Sequence, residues 1–260
     1  MCLILLAWKA HSDYPLIVAA NRDEFFTRPS AAAAFWPDAP QVLAGRDLEA
    51  GGTWLGVSRE QRFAALTNYR DGSGQCPGTR SRGALVADFL AGRKTPKAYL
   101  EEVAALASQY SGFNLFVGDA DHLGYCSNRD AGRVRWLVPG IYGLSNHLLD
   151  TPWPKLASAR AAFAVALQTL PQAAPFFALL ADREVVPDSH LPETGVSLAW
   201  ERILSAVFVS SEQYGTRAST LLTRRRDGLI TLEEHSYGAG ATPIGEVCAS
   251  FQSSLMCTGV

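Results

Sequence analysis

Runs of apolar residues separated by short polar segments dominate the chain and predict a β-rich fold. Residues 3–8 and 16–20 are apolar, and the polar segment between them has turn composition, so we expect a hairpin of two strands buried on both faces. Residues 53–57 and 63–67 predict a second hairpin. The Gly51-Gly52 pair that precedes it indicates a close approach between backbones.

The remaining pattern alternates groups of strands with groups of helices. We expect helices at 83–91, 96–109, 153–170 and 174–181, and further strands at 113–118, 124–127, 134–138, 206–209, 219–223 and 229–233. The polar stretch 182–197 is expected to be a long loop. Hairpins without regular strand–helix alternation favour antiparallel sheets with helices packed outside, so we predict an α+β fold with residues 1–260 as one domain.

Composition agrees with a folded chain that does not bind nucleic acid. The 260 residues are 48% hydrophobic and 18% charged, which is enough apolar material for a large core and argues against disorder. The net charge is −2, and the one dense basic run, residues 224–226, comes directly before Asp227-Gly228. Asp-Gly between apolar runs is typical of a hairpin turn, so we interpret the basic run as a solvated turn.

Cysteine usage and the apolar N-terminal run bear on location. The five cysteines are widely spaced and form no CxxC pair, which indicates neither a disulfide framework nor a zinc site. A reducing compartment, the cytoplasm, is therefore expected. Residues 1–8 are too short to span a bilayer and lack the preceding positive charge of a signal peptide, so we expect a buried strand and no membrane span.

Cys2 is the first candidate for chemistry. Methionine is generally removed when a small residue follows it, and Cys2 would then carry both a thiol and a free α-amine. The thiol pKa of an isolated cysteine is ~8.5 and that of an α-amine is ~7.7–8, so one residue would supply a nucleophile and its own base. The alternative at this stage is a buried, inert cysteine.

The charged residues that end the second strand are expected to divide between its two faces. Side chains alternate along a strand, so Asn21 and Asp23 share one face while Arg22 and Glu24 share the other. If Asp23 faces Cys2 across the hairpin, its carboxylate can hold the α-amine. Asp23 and Glu24 then point apart, which excludes them as a paired acid and base.

Two asparagines and one arginine complete the candidate site. Asn68 and Asn146 each lie where an extended segment leaves the sheet, and a carboxamide that donates to a developing oxyanion contributes ~10²–10³ in rate. The alternative is a turn asparagine that bonds its own backbone. Arg217 begins a strand and is a candidate partner for a carboxylate or phosphate, or else a surface arginine.

Several sequence blocks together resemble the NRDE family, which is that of the Transport and Golgi Organization 2 protein. The blocks are MC, AANRDEF with a nearby RPS, AGRDLEAGGTWLG, ALTNY, GFNL, YGLSN with TPWPK, and YGTRAST, and they run from residue 1 to about residue 223. This family is similar to the N-terminal nucleophile hydrolases of the choloylglycine hydrolase and penicillin V acylase group. The resemblance implies a four-layer αββα sandwich of two antiparallel sheets.

The same resemblance implies roles for individual residues. Cys2 corresponds to the nucleophile, Asp23 to the aspartate that contacts the amine, and Arg217 to a late arginine of those hydrolases. Asn68 and Asn146 correspond to the asparagines on the oxyanion side. The hydrolases also have an arginine just before the Asn-x-Asp segment, where this chain has Ala20. That difference removes a cation that would stabilise a thiolate.

Three functions follow as hypotheses. The first is hydrolysis of a linear amide, with no cofactor required. The second is haem binding or haem trafficking, which the resemblance implies. Cys76-Pro77 is then a weak haem-contact candidate, and His147 is a better one because it adjoins Asn146. The third is a non-catalytic binding module for a lipid or acyl-CoA. For all three we expect a small-molecule substrate or haem as partner, with ligand contacts from Asn21, Arg22, Trp54 and His147.

Overall fold

The computed structural model describes residues 2–72, 78–130 and 133–253. Along these residues the strands are β1 (Cys2–Trp8), β2 (Leu16–Phe25), β3 (Ser30–Trp36), β4 (Ala39–Asp47), β5 (Leu55–Ser58), β6 (Phe63–Asn68), β7 (Phe113–Gly118), β8 (Leu123–Ser127), β9 (Arg135–Trp136), β10 (Gly140–Leu144), β11 (Tyr214–Arg224), β12 (Leu229–Tyr237) and β13 (Pro243–Gln252). The helices are α1 (Gly83–Ala91), α2 (Pro96–Ala105), α3 (Pro154–Ala166), α4 (Ala174–Leu180) and α5 (Leu198–Ile203). None of these described helices combines the length and the hydropathy needed to cross a bilayer.

Two antiparallel sheets stack face to face, and each has helices on its outer side. The first sheet has six strands in the order β10-β1-β2-β11-β12-β13, and the second has seven in the order β3-β4-β5-β6-β7-β8-β9. Their inner faces share one apolar core. Helices α1 and α2 cover the second sheet, while α3 and α4 cover the first. The predicted four-layer αββα sandwich of the α+β class is confirmed.

The first strand lies inside this arrangement and is buried on both faces, as its apolar run predicts. β1 pairs antiparallel with β10 on one side and β2 on the other. Its odd-numbered residues 3–7 pack under α3 and α4, and its even-numbered residues 4–8 pack between the sheets. Because side chains alternate, Cys2 continues the even-numbered row and faces the space between the two sheets.

The close backbone approach expected at Gly52 is confirmed. A Cβ built on Gly52 would lie 2.4 Å from the carbonyl carbon of Gly83, a distance that real Cβ atoms do not adopt. The neighbouring Thr53 N–H donates to the Gly83 carbonyl at 3.2 Å. The start of α1 is therefore fixed against the loop between β4 and β5.

The expected hairpins β1–β2 and β5–β6 form, but the pattern missed β3, β4 and β13, and it indicated β10 only as the extended segment that ends near Asn146. β3 is an alanine-rich edge strand, β4 contains Pro40, and β13 is a mostly exposed edge strand. Alanine and proline are poor strand formers, so pairing with neighbours decides these segments. Residues 206–209 were expected to form a strand, but they form a buried bend instead. They lie close to α4, because Phe208 N–H donates to the Asp182 carbonyl just beyond that helix.

The basic run does form the hairpin turn expected of Asp227-Gly228, with Gly228 at φ +87°, but its first arginine is not solvated. Arg224 is 2% exposed, and it donates to the carbonyls of Asp119 and Ala120 at 2.9 and 3.1 Å. Burial lowers the pKa of Arg224 to about 10. Arg224 therefore ties the end of β11 to the loop between β7 and β8.

Candidate functional site

The Cys2 side chain lies at the wall of a cleft between the two sheets. The cleft has a volume of about 480 Å³, and Cys2 is 8% exposed. Polar and charged residues dominate the lining, with Trp54 and Leu66 among the few large apolar side chains. The sulfur is thus covered on the strand side but not sealed among aliphatic groups.

Burial raises the pKa of the Cys2 thiol, and the Asp23 carboxylate acts in the same direction. Arg22 and a hydrogen bond from the Asp23 backbone oppose this change. A thiol with a raised pKa is protonated at neutral pH, so it needs a nearby base before it can act as a nucleophile.

Arg22 is the residue directly opposite Cys2 in the β1–β2 pairing. Its guanidinium lies 4.3 Å from the Trp54 ring centroid, and Nη2 lies 3.6 Å from Asp47 Oδ2. The hydrolases that the sequence resembles carry their arginine at the position of Ala20, which here pairs with Ile4. Arg22 therefore supplies a positive charge on the same face of the sheet as Cys2, two residues after Ala20 along β2.

Asp23 lies on the other face of β2, as alternation predicts. Thr216 Oγ1 donates to Asp23 Oδ1 at 2.7 Å, and the Tyr214 hydroxyl donates to the Asp23 carbonyl at 2.9 Å. Burial raises the pKa of the Asp23 carboxyl, whereas Lys155 and Arg70 lower it. The carboxylate is thus held in a fixed orientation close enough to Cys2 to influence its titration.

Lys155 is a site residue that the sequence reasoning missed. It lies in the first turn of α3, 7% exposed, and Nζ donates to the Leu204 carbonyl at 2.7 Å. Burial lowers the pKa of Lys155 to about 8, and Asp23 and Cys2 act in the opposite direction. The lysine occurs in the TPWPK block, but nothing in that block indicates that the side chain turns inward.

A buried ion pair lies beside this lysine. Arg70 Nη1 and Glu201 Oε2 are 2.7 Å apart, and both side chains are at most 5% exposed. Arg70 lowers the pKa of Lys155, while Glu201 raises it. Beneath the cysteine, on the helix side of the first sheet, the protein thus holds Asp23, Lys155, Arg70 and Glu201 in one buried charged group.

Of the two predicted asparagines, Asn68 lines the cleft and Asn146 does not. Asn146 is fully buried, and its Nδ2 donates to the Asn68 carbonyl at 2.9 Å. Thr67 Oγ1 donates to the Ser145 carbonyl at 2.6 Å. These four residues, Thr67, Asn68, Ser145 and Asn146, form an inter-sheet clasp that joins the end of β6 to the end of β10.

Three other predicted site residues lie outside the cleft lining. Asn21 is 1% exposed; its Nδ2 donates to the Leu180 and Val207 carbonyls at 2.8 and 3.0 Å, and its Oδ1 accepts from Ser219 at 2.6 Å. The Asn21 carboxamide thus ties β2 to the helix layer and is occupied by the protein itself. It has no hydrogen-bonding capacity directed toward a ligand in the cleft.

Arg217 and His147 are likewise used elsewhere. Arg217 Nη1 donates to the Phe25 and Arg28 carbonyls, both at 2.9 Å, and so closes the turn after β2. The His147 ring lies 4.9 Å from the Tyr69 ring and bonds to Thr151 Oγ1 at 2.9 Å. The Cys76-Pro77 pair lies outside the described residues.

Arg82 is a second residue that the sequence reasoning missed. It directly precedes α1, lines the cleft, and donates from Nη1 to the Gly112 carbonyl at 3.1 Å. Burial lowers the pKa of Arg82, and Cys2, which lines the same cleft, acts in the opposite direction. An arginine ahead of a helix carries no such signal in the sequence.

Comparison with known proteins identifies relatives along most of the chain. The model of a family described as Transport and Golgi organisation 2 matches residues 1–239. The Transport and Golgi organization protein 2 homolog of Bos taurus is 40% identical over 258 residues, which is 91% of this chain and 93% of that protein. The Homo sapiens homolog is 37% identical over 257 residues, with the same coverage of 91% and 93%.

Among solved structures, the chain is similar to a mutant conjugated bile acid hydrolase from Clostridium perfringens. The TM-score is 0.49 and the sequence identity is 9%, over 97% of this chain and 92% of that one.

Proposed function

The chain belongs to the Transport and Golgi organisation 2 family, and we propose that it hydrolyses a linear amide with Cys2 as nucleophile. The observation that carries the proposal is the placement of the Cys2 sulfur at the wall of a polar cleft, with Arg22 on its own face and Asp23 behind it. A buried structural cysteine does not require charged groups on both sides. Cys126, which is 1% exposed, has burial as the cause of its raised pKa.

The reaction begins with removal of Met1, which frees the α-amine of Cys2. Because the thiol is protonated at neutral pH, the amine takes its proton while the sulfur attacks the amide carbonyl carbon. The new C–S bond converts the carbonyl oxygen to an oxyanion, and the Asn68 carboxamide donates to it from the cleft wall. Asn146 acts as a positioning residue, because it holds the Asn68 carbonyl.

The second half of the reaction regenerates the enzyme. The tetrahedral intermediate collapses, the C–N bond breaks, and the leaving amine takes the proton from the α-ammonium group. Water then attacks the resulting thioester with the α-amine as base. The C–S bond breaks, the carboxylic acid leaves, and the thiol recovers its proton.

Haem binding has less support from this cleft than amide hydrolysis does. Among the described residues of the lining, Cys2 is the one side chain of a type that ligates haem iron. Four arginines and the carboxylates of Glu24, Asp47 and Glu49 line the cleft, whereas a porphyrin face packs against apolar side chains. The charged lining therefore favours a polar substrate at this site.

The experiment combines intact mass with a hydrolysis assay. We expect the purified protein to lack one methionine and to release p-nitroaniline from at least one member of a panel of N-acyl p-nitroanilides. Cys2→Ala should abolish release. Cys248→Ala, which removes an exposed cysteine, should leave it unchanged. Retention of Met1, or release that survives Cys2→Ala, would contradict the proposal.

A further inference from the structure

The four arginines that line the Cys2 cleft differ in their partners. Three of them have carboxylate partners within the described residues. The pairs are Arg22 with Asp47, Arg28 with Asp47 and Glu49, and Arg80 with Asp88. Arg82 forms no ion pair with any described residue, although Glu24 lines the same cleft and acts to raise the pKa of Arg82. Its burial makes a positive charge without a direct partner costly.

Most hydrogen-bond donors of the Arg82 side chain have no acceptor among the described residues, and the side chain lines the cleft. The Gly112 carbonyl accepts the one hydrogen bond that its guanidinium donates to the described residues. A guanidinium has five N–H donors. None of its nitrogens is a buried atom without a partner, so the remaining donors are accessible from the cleft.

The backbone at Arg82 is also rigidly placed. Gly83, the next residue, packs so closely against Gly52 that a Cβ on Gly52 would lie 2.4 Å from the Gly83 carbonyl carbon. Thr53 N–H holds the Gly83 carbonyl at 3.2 Å. The backbone that carries this guanidinium is thus fixed, and a guanidinium can contact a carboxylate or a phosphate through two parallel N–H bonds.

We propose that Arg82 binds an anionic group of the substrate, so that the molecule attacked by Cys2 carries a carboxylate or a phosphate on the side of the cleft that faces α1. The inference rests on the proposed function in one respect, the identity of Cys2 as the reacting group. Arg82 is then a specificity-determining residue, and neutral amides with the same acyl group are poorer substrates.

Two thiol reagents that differ in charge test this without any knowledge of the substrate. Iodoacetate and iodoacetamide alkylate the same sulfur, and only the first carries a carboxylate. The rates at Cys2 are measured by peptide mass spectrometry, with exposed Cys248 of the same chain as the internal reference. We expect the iodoacetate-to-iodoacetamide ratio at Cys2 to exceed that at Cys248.

Variants then assign the preference to Arg82. Arg82→Gln should lower the ratio at Cys2 roughly ten-fold, the effect of one charge-assisted hydrogen bond, with little change in the iodoacetamide rate. Arg82→Lys should keep most of the ratio. Arg93→Gln removes an exposed positive charge outside the cleft and should change nothing.

The outcomes separate this inference from the proposed function. If Cys2 reacts but Arg82→Gln leaves the ratio unchanged, or slows both reagents equally, the role of Arg82 in anion binding is contradicted. The proposal that Cys2 is the nucleophile is unaffected by that result. If Cys2 reacts with neither reagent, the nucleophile itself is inaccessible and both proposals fail.

Protection of Cys2 against iodoacetamide by acetate or by inorganic phosphate distinguishes the two sources of the anion. Protection by acetate that Arg82→Gln abolishes indicates a carboxylate, and such protection by phosphate indicates a phosphate. Equal protection of wild type and variant by both ions would contradict the inference.

Discussion

At the scale of single residues, the charges behind Cys2 decide how the site titrates. Asp23 and Lys155 are both buried, and burial disfavours the charged form of each, but their opposite charges favour ionisation. Thr216 fixes the carboxylate and the Leu204 carbonyl fixes the ammonium group. Burying Asp23 and Lys155 therefore lowers the free energy of unfolding, while their hydrogen bonds hold the groups behind Cys2 in one arrangement.

Replacing Lys155 with Met should change how stability depends on pH. The pKa of Lys155 is about 8 in the folded protein and lies near 10.5 for an exposed lysine. Between these values the unfolded state binds a proton that the folded state does not, so the lysine makes the free energy of unfolding rise with pH, by up to ~1.4 kcal/mol per pH unit. Below pH ~8 the lysine is charged in both states and makes no such contribution.

Denaturant unfolding of wild type and Lys155→Met between pH 6 and 10 measures this difference. The two stability curves should diverge above pH ~8, with wild type gaining relative to the variant. Lys97→Met, at an exposed position on α2, should parallel wild type throughout. Parallel curves for Lys155→Met up to pH 10 would contradict the assignment of the lowered pKa.

Part of the site could be predicted from single residues and part could not. Alternation along β2 correctly placed Arg22 and Asp23 on opposite faces, because the period of a strand is a local property. Which of them lies opposite Cys2 depends on the hairpin register, which the sequence pattern left open. The partners of Asn21 and Arg217 come from distant parts of the chain, so local pattern could not show that both side chains are occupied.

At the scale of elements, the strands found from the sequence are those with β-branched and aromatic residues. Of the missed strands, β3 and β13 are edges, whereas β4 lies between β3 and β5 and carries Pro40. β3 and β13 each pair with one neighbour, β3 with β4 and β13 with β12. An edge strand needs less apolar surface, so its sequence carries less strand signal. The contact between the loop after β4 and the start of α1 was indicated by its glycines, because only glycine permits that distance.

Gly52→Ala should test that contact. The new Cβ would meet backbone atoms of Gly83, which cannot move without displacing α1, so we expect a loss of about 1–3 kcal/mol in the free energy of unfolding. Gly245→Ala is the matched control, since a Cβ there meets no heavy atom within 4 Å. Urea unfolding measures the free energy of unfolding of both variants. Equal losses would show that α1 can move to make room for the Cβ at little cost.

At the scale of the whole molecule, one apolar layer joins the inner faces of the two sheets. Leu6 is fully buried in this layer, in the same row of β1 as Cys2. Both outer helix layers depend on the sheets that this layer joins. The expectation that residues 1–260 form a single domain remains a prediction, and it has a thermodynamic consequence.

Leu6→Ala should lower the free energy of unfolding by about 2–5 kcal/mol and leave one cooperative transition. Leu48→Ala, at a side chain that is 57% exposed, should change it by less than about 0.5 kcal/mol. Differential scanning calorimetry measures both variants. Two separate transitions, of which Leu6→Ala moves only one, would contradict a single domain.

The inter-sheet clasp has a further consequence for how precisely the site is built. Apolar contacts have little directional preference, whereas hydrogen bonds form only where a donor and an acceptor are aligned. Shifting one sheet against the other by a single residue, ~3.3 Å, would leave the carbonyls of Ser145 and Asn68 without their donors. Cys2 lies in one sheet and Asn68 in the other. The distance between the Cys2 sulfur and the Asn68 carboxamide therefore depends on how the two sheets are aligned. Volume-conserving changes in the apolar layer should leave that spacing intact.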